Sequence, residues 1–134
     1  MSNTQIEDQL AIQELISTFF AAAMRRDSAK WGDTFAEDGS WKIDMLDEPV
    51  VGRDKVVAVY ENLMQHIEFV SISGFPNELA IDGDKATGKV YSQEFITRKN
   101  GDQMTLVGCH HDEYVKKDGR WYFQSRRFET LRRA

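Results

Sequence analysis

The sequence predicts an α+β fold: about three helices on the N-terminal side of a long, mostly antiparallel meander. Three observations predict it. Apolar residues recur at helical spacing through much of the first half of the chain. Turn-forming pairs then divide the remainder into four long segments, and these segments are rich in β-branched and aromatic residues. Helices grouped before strands place the helices on one face of the sheet. A long helix laid across a curved sheet leaves a cone with an open mouth, the kind of concave, mostly apolar site that small molecules favour. With 134 residues, the chain is expected to form a single domain, 1–134.

The first helix opens at Thr4-Gln5-Ile6-Glu7, which has capping-box spacing. Ile6, Leu10, Ile12, Ile16, Phe19, Phe20, Ala23 and Met24 then form its apolar side. It is expected to end near Arg25-Arg26, where cations suit the negative end of the helix dipole. Asp27 or Ser28 is placed to cap a second, shorter helix carrying Trp31 and Phe35. Residues 39–45 alternate apolar and polar, the strand period, until Asp47, Glu48 and Pro49 interrupt. Asp54 is placed to cap a third helix with an apolar stripe of Val56, Val57, Tyr60, Leu63, Met64 and Ile67.

Turn signals at Asp82-Gly83-Asp84, Asn100-Gly101 and Asp118-Gly119 delimit strands of 69–81, 85–98, 103–116 and 121–131. Pro76 is expected to break or bulge the first of these, because proline cannot donate to the ladder.

A net charge of −5 argues against nonspecific binding to nucleic acid or to an anionic membrane. Arg126, Arg127, Arg132 and Arg133 form an isolated basic cluster on the terminal strand. Cys109 is the only cysteine, so no intrachain disulfide forms and a reducing compartment is expected. The polar, acidic start MSNTQIEDQL is unlike a signal peptide, and no apolar run approaches spanning length. These features predict a cytoplasmic location.

The stretch GCHHDEY at 108–114 concentrates the titratable residues. Neighbours on a strand face opposite ways, so His110 and His111 are not expected to reach one site, and HHD lacks common metal-ligand spacing. No metal site is expected. His110 and Asp112 share a face with Gly108 and Tyr114. Two-residue turns at Asp118-Gly119 and Asn100-Gly101 would set Asp112 opposite Ser125 and Lys89, and His110 opposite Arg127 and Tyr91. That face then carries Tyr91, His110, Asp112 and Arg127, a set able to line an active site. The opposite face carries Cys109, His111, Glu94, Arg126 and Phe128, and one bulge would exchange the two. Alternatively, Asp112 forms a plain cross-strand ion pair with Arg127 or Lys89. His66 reads as a solvated histidine near a helix end, and Cys109 as a small buried thiol.

A family resemblance adds to these readings. AIQELISTFFAAAMRRDSAKWGDTFAEDGSW resembles the start of SnoaL-like proteins. Gly52-Arg53-Asp54, IDGDKATG at 81–88, Gly108 with Asp112, and KKDGRWYF at 116–123 followed by Arg126-Arg127 fit the same pattern. The resemblance implies the cystatin-like cone of the nuclear transport factor two superfamily, a curved mixed sheet wrapped around the helices. That superfamily spans polyketide cyclases, isomerases, dehydratases, an epoxide hydrolase and a dehydrochlorinase, together with non-enzymatic binding and dimerisation modules, so fold alone does not choose among them. It makes Phe20, Met24, Trp41, Ile43, Tyr60 and Met64 pocket wall as well as core. It implies cofactor-free acid–base chemistry on an apolar small molecule, with His110 as base, Asp112 as acid or hydrogen-bond donor, and Tyr91 and Arg127 orienting substrate. A silent ligand-binding module is the alternative, and a homodimer across the open face of the sheet is implied in either case. The histidine–aspartate dyad of the dehydrochlorinase subgroup falls on Ser73 and Met24, neither of which takes a proton at neutral pH.

Overall fold

The computed structural model describes residues 2–134. Helix α1 spans Asn3–Arg25, α2 Ser28–Gly32 and α3 Arg53–Met64. Strand β1 covers Phe35–Lys42, β2 Val50–Val51, β3 Ile67–Asp82, β4 Lys85–Arg98, β5 Gln103–Lys117 and β6 Arg120–Arg133. They form one six-stranded sheet in the order β2-β1-β6-β5-β4-β3. All pairings are antiparallel except β1 with β6, so the sheet is mixed.

The capping box of α1 lies two residues before the expected one. The Ser2 hydroxyl accepts from the Gln5 amide, and the Gln5 side chain accepts from the Ser2 amide. The helix therefore presents Asp8, Ile12, Leu15, Ile16, Phe19, Phe20, Ala22 and Ala23 to the interior, while Ile6, Leu10 and Met24 are exposed. Arg26 turns left-handed at φ 59 and ends the helix. Its guanidinium donates to the carbonyls of Met64, Ile67 and Glu68, tying the end of α1 to the α3–β3 junction. Asp27 caps α2 through the Lys30 amide, as one of the two expected residues.

Strand β1 starts four residues earlier than the alternation predicts. The Phe123 amide donates to the Thr34 carbonyl, which draws the chain into the sheet directly after α2. It also stops sooner, at a turn closed by the Leu46 amide on Ile43. Phe35 thus belongs to β1 and Ile67 to β3, not to the helices on either side. Helix α3 begins after Gly52, which has φ 102 and no side chain to cap with; Asp54 sits in the first turn instead.

The four long strands match the turn signals closely. Strand β3 runs through Pro76, which pairs with Val90, and the ladder slips between Asn77 and Ala80, where Glu78 has φ 53. Proline is tolerated there because β3 is an edge strand. The core lies between α1, the short helices and one face of the sheet. Phe19, Phe20, Trp31, Phe35, Trp41, Tyr60, Tyr114, Trp121 and Phe123 fill it. Asp8 enters this core with both partners in place, accepting from the Trp121 indole at 2.9 Å and the Lys116 ammonium at 3.0 Å. Those bonds hold its carboxyl below its ordinary range despite burial.

Candidate functional site

The period of two along β5 sends Gly108, His110, Asp112 and Tyr114 to the face that meets α1. His110, Asp112 and Tyr114 are all buried. Gly108 is small for a reason: a Cβ there would lie 2.1 Å from the Phe128 ring, which packs against His110 with centroids 4.8 Å apart.

The neighbours of this row differ from the expected ones, for two reasons. Between β4 and β5 the Arg98 amide bonds the Asp102 carbonyl, so the loop has Lys99, Asn100 and Gly101, with Gly101 at φ 96. A three-residue loop shifts the register by one and exchanges the faces of β4. Val90 therefore lies opposite His110 and Gly88 opposite Asp112, while Tyr91 pairs with Cys109 and Lys89 with His111. On the other side, Asp118-Gly119 is the expected two-residue turn, with φ of 50 and 79 at its two residues. Lys117 pairs with Arg120 and Tyr114 with Phe123 as expected, but β6 then bulges between Phe123 and Ser125. Arg126, not Ser125, faces Asp112, and Phe128, not Arg127, faces His110. Tyr91 and Arg127 are thus corrected to the outer face, where Tyr91 stacks on Phe75 and Arg127 is exposed.

Asp112 and Arg126 form an ion pair with neither side chain exposed. Arg126 Nε donates to Asp112 Oδ1 at 2.7 Å and Nη2 to Oδ2 at 2.9 Å, and the Tyr114 hydroxyl also donates to Oδ2 at 2.9 Å. The guanidinium lies over the rings of Phe123 (4.1 Å) and Phe19 (4.4 Å), an arrangement suited to a buried planar cation. One arm, Nη1, has no protein partner. Neither do Trp41 Nε1, the Tyr60 hydroxyl, the Ser92 hydroxyl or either ring nitrogen of His110, all of them buried. Trp41 pairs with Arg126 across β1 and β6, so the two sit side by side on this face. Burial and the Arg126 charge keep the His110 pKa well below the usual 6.5, so the ring is neutral at physiological pH. Burial raises the Tyr60 hydroxyl to about 12, so it remains a donor.

Glu94 joins the same face through the shifted register, flanked across the strands by Ile72 and Leu106. Burial between these apolar neighbours pushes its carboxyl up to about 7. The arrangement therefore offers neutral imidazole nitrogens, a half-protonated carboxyl near neutral pH, and an arginine arm and an indole free to donate.

A model of the SnoaL-like domain matches residues 4–127. The chain belongs to the SnoaL-like domain family. No match was found among curated proteins. Several hundred solved chains share the fold of this SnoaL-like domain. A hexachlorocyclohexane dehydrochlorinase, LinA type 2, is 17% identical with a TM-score of 0.89, covering 97% of this chain and 89% of its own. A LinA type 3 dehydrochlorinase from Novosphingobium barchaimii is 16% identical at 0.87, covering 97% and 90%. A scytalone-dehydratase-like protein from Novosphingobium aromaticivorans is 19% identical at 0.88, covering 100% and 91%. These likenesses establish the α+β fold.

Within the SnoaL-like domain, the residues expected as pocket wall differ in burial. Phe20, Trp41 and Tyr60 are buried in the core, and Ile43 and Met64 pack half-buried against it. Met24 is 46% exposed and contacts the Ser71 hydroxyl through its sulphur. Ser73 is exposed on the edge strand. His66 is exposed as well. The interior facing α1 is occupied by aromatic rings rather than by a wide apolar chamber. Concavities of about 500 and 540 Å³ lie on the outer side instead, the first bordered by Lys42, Lys89, His111 and Arg127.

Arg126, Phe128, Ser92 and Glu94 are residues of this face that alternation alone misassigns or passes over. The Gln124 bulge carries no proline or glycine signal, so nothing in the sequence marks Arg126 rather than Arg127 as inward. Asn100-Gly101 reads equally well as a two- or a three-residue loop. Among the described residues, no helix is long and apolar enough to cross a membrane.

Proposed function

We propose that this SnoaL-like domain binds a small, largely apolar molecule on the inner face of the sheet, taking space that the core aromatic rings now fill, and moves a proton next to an oxygen of that molecule. One observation carries this reading. Four of the five residues with buried polar atoms lacking a protein partner, Trp41, Ser92, His110 and Arg126, lie on the inner face of the sheet, whereas folded proteins leave few such groups. Arg126 Nη1 and Trp41 Nε1, on cross-strand neighbours, are free donors whose complement is a carbonyl or oxyanion. A neutral, weakly basic His110 suits the removal of a proton that a polarised carbonyl has already made acidic. The oxyanion formed would then rest against Arg126, in a site where water does not screen the charge. Asp112 has both oxygens committed, so in this reading it positions Arg126 and does not act as the acid. Isomerisation, dehydration and cyclisation all use such a step. No cofactor is required, and the lone thiol is in keeping with a cytoplasmic location.

The test is a turnover screen with enones, hydroxylated aromatics and epoxides. His110→Ala is expected to lower kcat by 100-fold or more, the scale of general acid–base catalysis. Undiminished turnover in that variant rules out His110.

A catalytically silent binding module is the second reading. Met24 and Ser73, both exposed and without a titratable group near neutral pH, favour it. Saturable ligand binding with no turnover of any substrate by the unaltered protein would decide for it.

The outer face carries exposed Phe69, Phe75 and Phe95 beside Tyr91, which supports a homodimer through the sheet. Light scattering is expected to give twice the 15.4 kDa of one chain, and Phe95→Glu to return it to one. A single-chain mass for the unaltered protein excludes the dimer.

A further inference from the structure

The outer face holds a second group of chemically active side chains, on the other side of β5 from His110. Cys109 and His111 are alternate residues of that strand, and Glu129 is the cross-strand partner of Cys109 on β6. The sulphur, an imidazole nitrogen and a carboxylate oxygen all lie within 4.8 Å of one another. His111 Nε2 is already 2.9 Å from Glu129 Oε1. We propose that Cys109, His111 and Glu129 form a binding site for a divalent transition-metal ion, best suited to zinc, with one coordination position left open.

The donor set selects the metal class. A thiolate, an imidazole and a carboxylate are the three ligand types zinc accepts, at about 2.3, 2.0 and 2.1 Å, whereas magnesium and calcium take oxygen donors. Ligands at those lengths on a tetrahedral ion stand roughly 3.3–3.6 Å apart. From a widest separation of at most 4.8 Å the cluster therefore closes by about 1.5 Å at most, while His111 and Glu129 part by about 0.5 Å. The side chains able to make that movement are His111 and Glu129, 29% and 49% exposed, while Cys109 is held in the sheet.

Charge favours occupation as well. A divalent cation on a thiolate and a carboxylate leaves the centre neutral, so it does not add to the positive charge of Lys89 and Arg127, which flank His111 across the strands. Lys89 is already paired with Glu78 at 3.0 Å. His111 also borders the 500 Å³ concavity, which gives the open position access to water or a small ligand. The same three side chains would serve as a thiol nucleophile with its base and orienting acid. That use requires a sulphur which an organic substrate can reach, and Cys109 is only 2% exposed.

Alternation along β5 separates His110 from His111, and the set that converges is Cys-x-His on one strand with an acid from the next.

Cobalt(II) added to the purified full chain tests the site. One equivalent is expected to produce the near-ultraviolet charge-transfer absorption of a cobalt–thiolate bond, removed by one equivalent of zinc. Cys109→Ser should abolish the band. His111→Ala and Glu129→Gln, both at partly exposed positions, should weaken cobalt and zinc binding by about tenfold or more while the circular dichroism stays native. Absence of the band in the unaltered protein, or equal affinity in His111→Ala and Glu129→Gln, overturns the proposal.

Discussion

Asp112→Ala is expected to destabilise the fold by about 3–5 kcal/mol, measured as a shift in the urea midpoint at constant slope. The reason is the guanidinium it would abandon. Arg126 has no exposed surface, and its Nε and Nη2 bonds both end on Asp112. Removing the carboxylate leaves a buried, uncompensated charge and takes the acceptor from the Tyr114 hydroxyl as well. The pair is not itself a large source of stability, because desolvating two charges offsets most of their attraction. Replacing all three members together, as Asp112→Leu, Arg126→Met and Tyr114→Phe, should therefore recover most of the loss. Two outcomes would count against this account: a single variant as stable as the starting protein, or a triple variant as damaged as the single one. Function separates from stability here. The triple variant keeps the core filled but loses the free Nη1 donor, so it should fold without binding the oxygen of a ligand.

That buried pair also shows which parts of the structure are legible in the sequence. The helix and strand order follows from periodicity, and the three turns from their Asp-Gly and Asn-Gly pairs. These are local signals, each carried by a few adjacent residues. The row Gly108, His110, Asp112 and Tyr114 follows from the same local rule, because alternation within one strand needs no partner. The partners do not follow. Whether Tyr91 or Val90 lies beside His110 depends on one residue of loop length at Lys99-Asn100-Gly101. Whether Arg126 or Arg127 faces inward depends on one extra residue in β6 near Gln124. A period of two turns each single-residue slip into a complete exchange of faces. Arg126 and Arg127 carry the same chemistry, so the residue type gives no warning. Packing decides: the inward arginine lies over Phe19 and Phe123, and those rings come from a helix and a strand far apart in the chain. The capping box moved for a similar reason. Ser2-Gln5 and Thr4-Glu7 have equivalent spacing, and the burial of Asp8 against Trp121 and Lys116 accompanies the earlier start.

The same face should give the stability profile two opposing pH slopes. Glu94 has a carboxyl raised from 4.5 to about 7, so the folded state holds a proton that the unfolded state has released between those values. Its contribution is fully present below about pH 4.5 and is lost as pH rises through 7, amounting to about 3 kcal/mol. His110 acts in the opposite sense. Its folded pKa lies well below 6.5, so below that pH the unfolded state binds the additional proton. The stability associated with neutral His110 is complete above about pH 6.5 and falls as the pH is lowered, by up to about 1.4 kcal/mol per unit. Between pH 4.5 and 6.5 the two slopes oppose each other and flatten the profile. Single substitutions expose them. Glu94→Gln should leave a stability that climbs with pH up to about 6.5 and should gain most over the unaltered protein at pH 8. His110→Phe, which places a third ring between Phe19 and Phe128, should leave the downward slope of Glu94 and remain stable toward pH 5. Urea unfolding at pH 5, 6, 7 and 8 reads both. A Glu94→Gln profile parallel to that of the unaltered protein would mean that the carboxyl is solvated in the folded state. It would then have no place in proton transfer at neutral pH, and His110 would be left as the only group on this face able to accept one.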